Sequence, residues 1–125
     1  MSFDVDARTF IGASLVDRAV LLLKRAFREP VEPVSRLNVA SAIANQADLG
    51  TGGLVAGGVL GGGRSVDPGV MRLVSEAWQI LESARLVCRY LTDPGDWWVL
   101  TAAGRAVRAS ADPGAEIRAR LAGEP

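Results

Sequence analysis

Cys88 is the one residue of this chain whose side chain is a strong nucleophile by type, because the sequence holds a single cysteine and no histidine. A cysteine or serine nucleophile works with a base beside it, most often histidine, and that base is missing. The carboxylates are scattered among arginines, without a pair that would favour acid–base chemistry. One cysteine and no histidine also exclude an internal disulfide and a cysteine- or histidine-based zinc site. We therefore expect a non-enzymatic protein without cofactor or metal, and we expect Cys88 to be buried in a strand.

The segment 50–64 is the second place where the residue types suggest chemistry. It is rich in glycine, and clustered backbone N–H groups can bind an anion. The segment lacks the Gly-x-x-x-x-Gly-Lys-Ser/Thr pattern of a phosphate-binding loop, so we do not predict a nucleotide site. Two interpretations remain open, a loop without regular structure or a segment that contacts a protein partner. The partner would meet four aliphatic side chains, namely Leu54, Val55, Val59 and Leu60.

Length and composition favour a single globular domain over residues 1–125. The chain has 125 residues, of which 49% are hydrophobic and 22% charged, a mixture typical of folded proteins. Its 14 Lys and Arg balance its 14 Asp and Glu, so it lacks the broad positive field of many nucleic-acid-binding proteins. No apolar run approaches the ~20 residues of a membrane span, and the N-terminus is acidic where a signal peptide is basic. These features predict a cytoplasmic protein that does not enter a membrane.

Caps and hydrophobic spacing predict five helices and one β-hairpin. Each helix begins after a Ser, Thr or Asp, whose side chain can accept hydrogen bonds at a helix N-terminus. These residues are Ser14, Ser35, Asp67, Thr101 and Asp112. Residues 86–91 and 97–100 alternate as two strands around an Asp-Pro-Gly-Asp turn at 93–96. We leave residues 1–12 unassigned.

The apolar spacing also predicts the buried face of each helix. In the first helix this face includes Leu15, and in the second it includes Leu37. In the third helix, apolar residues recur from Val70 to Ala84, and Trp78 stands beside them. We therefore expect Trp78 to pack at the boundary of the core.

The segment from Trp78 to Gly104 combines a helix end, a strand, a turn, a second strand and the start of another helix. It includes the runs Leu81-Glu82, Arg85-Leu86-Val87 and Leu100-Thr101-Ala102-Ala103-Gly104. This order resembles the wing region of winged-helix proteins such as the MarR and PadR regulators. The resemblance covers residues 78–104 only. It implies a winged-helix-like fold that is mainly α, with a small antiparallel β-hairpin and about four to five helices.

Two features depart from that family's pattern. The family has glycine where this chain has Arg85, because the helix ends there in a left-handed residue, and an arginine in that conformation costs roughly 1–2 kcal/mol. We expect either a differently built turn or a tolerated strain. Helix-turn-helix proteins also join their second and third helices by a turn of about 3–4 residues, where this chain has the glycine-rich segment.

The resemblance further implies a DNA-binding regulator of transcription that contacts double-stranded DNA through its third helix and its wing. On this interpretation the side chains that face the bases are Arg72, Ser75 and Gln79. The side chains near phosphates are Arg89 and Arg105. Glu76 and Glu82 lie on the same helix surface and would repel DNA. The alternative is an ordinary solvated helix face with no ligand.

Trp97 carries a second functional hypothesis. Strand alternation places Trp98 in the core with Leu100 and turns Trp97 to the outer face of the wing. There Trp97 would anchor a partner or stack on a base, or it would pack against another element of the same chain. Because winged helices also serve assembly, the alternative function is a protein-interaction module that uses the wing and the glycine-rich segment, with another protein or a second copy as partner.

Overall fold

The computed structural model describes residues 6–27, 33–46, 67–90 and 96–123. In these ranges the chain is mainly helical with a small antiparallel sheet, which confirms the predicted fold class, and the arrangement is winged-helix-like. The glycine-rich segment 50–64 lies outside the described residues, and so does most of the turn predicted at 93–96. The four aliphatic candidates of that segment therefore stay a prediction; they are Leu54, Val55, Val59 and Leu60.

Six helices and three strands follow one another along the described chain. The helices are α1 (Ala7–Gly12), α2 (Leu15–Leu21), α3 (Arg36–Gln46), α4 (Pro68–Ser83), α5 (Ala102–Arg108) and α6 (Pro113–Leu121), and α2 continues as a π-helical turn (Leu22–Ala26). The strands are β1 (Val34–Ser35), β2 (Val87–Arg89) and β3 (Trp97–Leu100). None of the described helices has the length and hydropathy needed to cross a membrane.

Helix α1 is the element that the sequence analysis left unassigned. Its N-terminus is capped by Asp6, whose carboxylate accepts hydrogen bonds from the backbone N–H and the hydroxyl of Thr9 at 2.9 and 2.7 Å. The hydrogen bond from the Thr9 hydroxyl, and after it the one from the Thr9 N–H, hold the pKa of Asp6 below its ordinary value. The cap therefore stabilises α1 at pH values above the pKa of this carboxyl in the unfolded chain. The stabilisation is lost as the pH falls through the lowered pKa of the folded state.

The sheet contains one more strand than the predicted hairpin. Its order is β1-β3-β2, and both pairings are antiparallel. Val34 pairs with Trp98 and Ser35 with Trp97. Strand β1 has two residues, too few to alternate visibly in the sequence, and it brings the start of α3 beside β3. The hairpin of β2 and β3 is called the wing below.

Trp78 lies at the centre of the core, and its predicted place at the boundary is wrong. Its side chain is 0% exposed, and its ring centroid lies 5.5 Å from that of Phe27 and 6.1 Å from that of Trp98. The reason is that α4 packs against both α2 and α3, so its buried arc is wider than the aliphatic stripe alone. Trp98 is 4% exposed, as its alternation predicted.

Leu15 and Leu37 are exposed, which contradicts their predicted burial. Leu15 is the first residue of α2, where a helix has few neighbours. In α3 the buried arc is formed by Val39, Ala40, Ile43 and Ala44. At about 100° per residue Leu37 stands at the edge of that arc, close in direction to Ala44, and it lies in the first turn of α3.

Arginine side chains bind carbonyl groups at the ends of three helical segments. Arg18 donates to the Phe10 and Ile11 oxygens of α1 at 3.0 and 2.8 Å. Arg108 donates to the Leu23 and Lys24 oxygens of the π-helical turn, and Arg120 donates to the Ala84 oxygen after α4 at 2.8 Å. Cations at helix C-termini satisfy carbonyls that have no partner within the helix. Part of the chain's arginine content therefore serves the fold.

Helix α4 ends in a turn of the glycine type, with arginine in the glycine position. Arg85 has φ 63°, the single positive φ of a non-glycine residue in the described chain. Its N–H donates to the Glu82 oxygen, and the Leu86 N–H donates to the Leu81 oxygen, both at 2.9 Å. This is the complete Schellman pattern. Of the two outcomes expected from the sequence, the second is therefore observed. The turn is the left-handed one in which glycine is usual, and the strain of an arginine there is tolerated.

Thr101 joins the end of α4, the wing and the start of α5. Its hydroxyl accepts from the Gly104 N–H at 2.9 Å and donates to the Arg85 oxygen at 2.8 Å. Its own N–H donates to the Leu86 oxygen at 3.0 Å. Gly104 lies so close to this corner that a Cβ there would collide with the carbonyl oxygen of Leu86. The expected role of Thr101 as cap is confirmed, and Gly104 is the point at which α5 comes closest to this corner.

We predict that Gly104→Ala lowers the free energy of unfolding by about 2–3 kcal/mol, because the collision is with backbone and cannot be relieved by a rotamer change. Urea unfolding followed by circular dichroism measures this. Gly12→Ala is the matched control, since a Cβ at Gly12 meets nothing within 4 Å. Equal stabilities of the two variants would contradict the close approach.

We predict that Arg85→Gly raises the free energy of unfolding by about 0.5–1 kcal/mol, because glycine adopts the left-handed conformation without a Cβ clash. Arg85→Ala removes the same side chain but keeps the Cβ, so it should bring no such gain. Thermal unfolding of the three proteins distinguishes them. A glycine variant no more stable than the alanine variant would mean that the turn carries no strain.

Candidate functional site

The outward face of α4 carries the residues predicted to meet DNA bases. Asp67 caps this helix, as predicted, by accepting from the Val70 N–H at 3.1 Å, and Pro68 occupies its first turn. The opposite, buried face fixes the rotation of the helix. Exposed on the outward face are Arg72, Ser75, Glu76, Gln79 and Glu82. The structure therefore brings Arg72, Ser75 and Gln79 to one exposed face.

That face has little capacity to attract DNA by charge alone. It presents one arginine and two glutamates, so its formal charge is negative. The Gln79 amide donates to the Ser83 hydroxyl at 3.2 Å, which holds the amide along the helix surface. Any attraction to phosphates must therefore come from neighbouring elements.

Trp98 organises a group of charged side chains at the open end of the sheet. Its indole N–H donates to Oδ1 of Asp96 at 2.8 Å, and Nε of Arg36 donates to the same oxygen at 2.7 Å. The Arg36 guanidinium carbon also lies 4.9 Å from the Trp98 ring centroid. Asp96 thus satisfies a buried indole N–H and neutralises Arg36.

Arg89 approaches the same ring from β2. Its guanidinium carbon lies 5.5 Å from the Trp98 centroid, a cation–π contact, and the residue is exposed. Arg36 and Asp96 were missed by the sequence analysis. They are 60 positions apart in the sequence and meet only because the short strand β1 pairs with β3. The sequence analysis named Trp98 and Arg89, but it did not indicate that Arg36 and Asp96 would lie beside them.

Arg105 is the second cation predicted to lie near phosphates. It is exposed, and its Nη1 donates to the Leu100 oxygen at 3.4 Å. Within the described residues, neither Arg89 nor Arg105 forms an ion pair with a carboxylate. Both are therefore positioned by contacts that leave their charge uncompensated by any carboxylate in the part of the chain that the structure describes.

The outer face of the wing is apolar and includes Cys88. The thiol is exposed, so the predicted burial of Cys88 is wrong. Cys88 pairs with Val99 and alternates with the buried Val87, and this alternation turns its side chain away from the core. Trp97 is half-buried on the same outer face, and its carbonyl accepts from the N–H of the exposed Tyr90 at 2.9 Å.

No protein-family model, curated protein or solved structure matches this chain. The likeness of residues 78–104 to the MarR and PadR regulators therefore stays a resemblance.

We predict that Asp96→Ala lowers the free energy of unfolding by about 2 kcal/mol, mainly because the buried Trp98 N–H loses its acceptor. The ion pair with Arg36 adds little, since both side chains are about one-third exposed (36% and 33%). Asp96→Asn keeps an oxygen acceptor and should retain most of the stability in urea unfolding. If Asn were as damaging as Ala, the charge and not the hydrogen bond would be the stabilising feature.

Proposed function

We propose that this domain binds nucleic acid, as a regulator that contacts double-stranded DNA through the outward face of α4 and the wing. The observation that carries the proposal is the pair of exposed cations Arg89 and Arg105. Each is held by a contact to the fold, and neither is paired with a described carboxylate. A held guanidinium loses less conformational freedom when it meets a phosphate than a mobile one does.

The two groups of residues have different tasks in this proposal. Arg89 and Arg105 bind phosphates and supply the attraction, which is independent of sequence. Arg72 and Gln79 have the donors that read guanine and adenine edges in the major groove, and Ser75 can pair with any base. Glu76 and Glu82 repel phosphates and so weaken this attraction.

The exposed thiol supports a cytoplasmic location for such a regulator. Cys88 has no cysteine partner within the chain, because the sequence contains one cysteine. An accessible free thiol is compatible with a reducing compartment and is a liability in an oxidising one.

We predict that the protein binds a labelled mixed-sequence DNA duplex in fluorescence anisotropy, with an affinity that falls steeply between about 50 and 200 mM salt. Arg72→Ala and Arg89→Ala should each weaken binding about fivefold, and Arg89→Ala should also reduce the salt slope by about 0.9, the effect of one lost phosphate contact. Glu76→Gln should strengthen binding, because it removes a negative charge from the outward face of α4.

Glu116→Gln is the control for charge in general, since it removes the same charge from α6. It should leave duplex affinity nearly unchanged. Absence of duplex binding at low salt, or an affinity that does not respond to salt, would reject the proposed function.

A further inference from the structure

Two arginine side chains meet over one indole ring on the core side of the sheet. Arg89 pairs with Trp98 across the strands and stands two positions after the buried Val87, so its side chain lies on the same, core-facing side. Arg36 directly follows β1, on the opposite side of β3. The guanidinium carbons of Arg36 and Arg89 lie 4.9 and 5.5 Å from the Trp98 ring centroid. The two cations therefore converge on one ring from the two edge strands.

Each of the two guanidinium groups keeps hydrogen-bond donors for a ligand. The Nε–H of Arg36 donates to Oδ1 of Asp96 at 2.7 Å, the one side-chain hydrogen bond of Arg36 within the described residues. Because a guanidinium group has five N–H donors, the two Nη atoms of Arg36 retain the others. Arg89 is exposed and is held by the indole ring, without a side-chain hydrogen bond to a described residue. Donors of both residues are therefore available beside the Trp98 ring.

The charges around this ring fit one phosphate group. Arg36 and Arg89 carry two positive charges and Asp96 one negative charge, a formal sum of +1, and Arg89 forms no ion pair with a described carboxylate. A phosphodiester carries one negative charge, and its non-bridging oxygens can accept hydrogen bonds from both guanidinium groups. A carboxylate ligand would duplicate Asp96, which already binds Arg36. Because both arginines are held in place, binding costs them less conformational freedom.

We infer that Arg36 and Arg89 bind the same phosphate group beside the Trp98 ring. In taking this phosphate from the backbone of a DNA duplex, the inference rests on the proposed function, to which it adds Arg36 as the partner of Arg89. Asp96 then has two opposing effects. It orients the Arg36 guanidinium through Nε, and its negative charge weakens the attraction between Arg36 and the phosphate. Free phosphate has the same chemistry and would use the same donors.

The test measures binding of the full chain to a labelled DNA duplex by fluorescence anisotropy at several salt concentrations. Arg36→Ala should weaken binding about fivefold, as Arg89→Ala does. Because both residues bind one phosphate, the double variant should weaken binding only about tenfold, less than the product of the two single effects. Each of the three variants should lower the salt slope by about 0.9, the value for one phosphate.

Asp96→Asn and Arg118→Ala test the charge at this site against charge elsewhere. Asp96→Asn keeps an oxygen that accepts from the Trp98 N–H but loses the negative charge, so it should bind the duplex about threefold more tightly. Arg118→Ala is the matched control for Arg36→Ala, because it removes an exposed arginine from α6. It should leave duplex affinity and the salt slope nearly unchanged.

Inorganic phosphate serves as the second ligand, and the indole N–H resonance of Trp98 in nuclear magnetic resonance spectra reports its binding. This N–H shares the Asp96 oxygen with Arg36, so an anion at Arg36 should shift the resonance. If the duplex does not bind but phosphate shifts the resonance in the unaltered protein and not in Arg36→Ala, the site takes free phosphate and only the proposed function is rejected. If neither ligand binds, both are rejected.

Two results would overturn the inference and leave the proposed function standing. In the first, the duplex binds but Arg36→Ala binds it as tightly as the unaltered protein does. In the second, the effects of Arg36→Ala and Arg89→Ala multiply in full and the salt slope falls twice, because the two arginines then contact separate phosphates.

Discussion

The corner between α4 and the wing fixes how the end of α4, the two strands of the wing and the start of α5 meet. Arg85 turns the chain through a left-handed residue, and the Thr101 hydroxyl and N–H then bind the Arg85 and Leu86 oxygens. Gly104 permits this contact, because any Cβ would strike the Leu86 oxygen. The corner aligns the end of α4 with both strands of the wing. The end of α4 and the base of the wing therefore have a fixed position relative to each other.

Local chemistry made much of this fold predictable. The caps at Ser14, Asp67, Thr101 and Asp112 form as expected, because each depends on residues three positions apart. Helix α1 was missed, although Asp6 has a cap of the same kind. The family resemblance implied a left-handed turn after the third helix, in which glycine is usual; in this chain Arg85 occupies that position. Alternation placed Trp98 correctly, since it depends on neighbouring residues in one strand.

Contacts between distant parts of the chain were not predictable in this way. Arg36 meets Asp96 and Trp98 through a strand of two residues, and nothing in the local pattern around Arg36 indicates it. Trp78 was misplaced because its burial depends on two helices packing against α4 at once. Cys88 was misplaced because its burial was expected from residue type, whereas its place next to the buried Val87 turns its side chain outward. Candidate cations could be named from the sequence, but not the contacts that hold them.

If the corner makes α4 and the wing one unit, amide hydrogen exchange measured by nuclear magnetic resonance should show it at the backbone hydrogen bonds of the corner. The Leu86 N–H is bound to the Leu81 oxygen, and the Thr101 N–H to the Leu86 oxygen. Both amides should exchange only through an opening close to global unfolding, whereas the Ala13 N–H at the end of α1 exchanges through local fraying. If the Leu86 and Thr101 amides exchange as fast as the Ala13 amide while the interior of α4 stays protected, the wing opens independently of α4 and the two are not one unit.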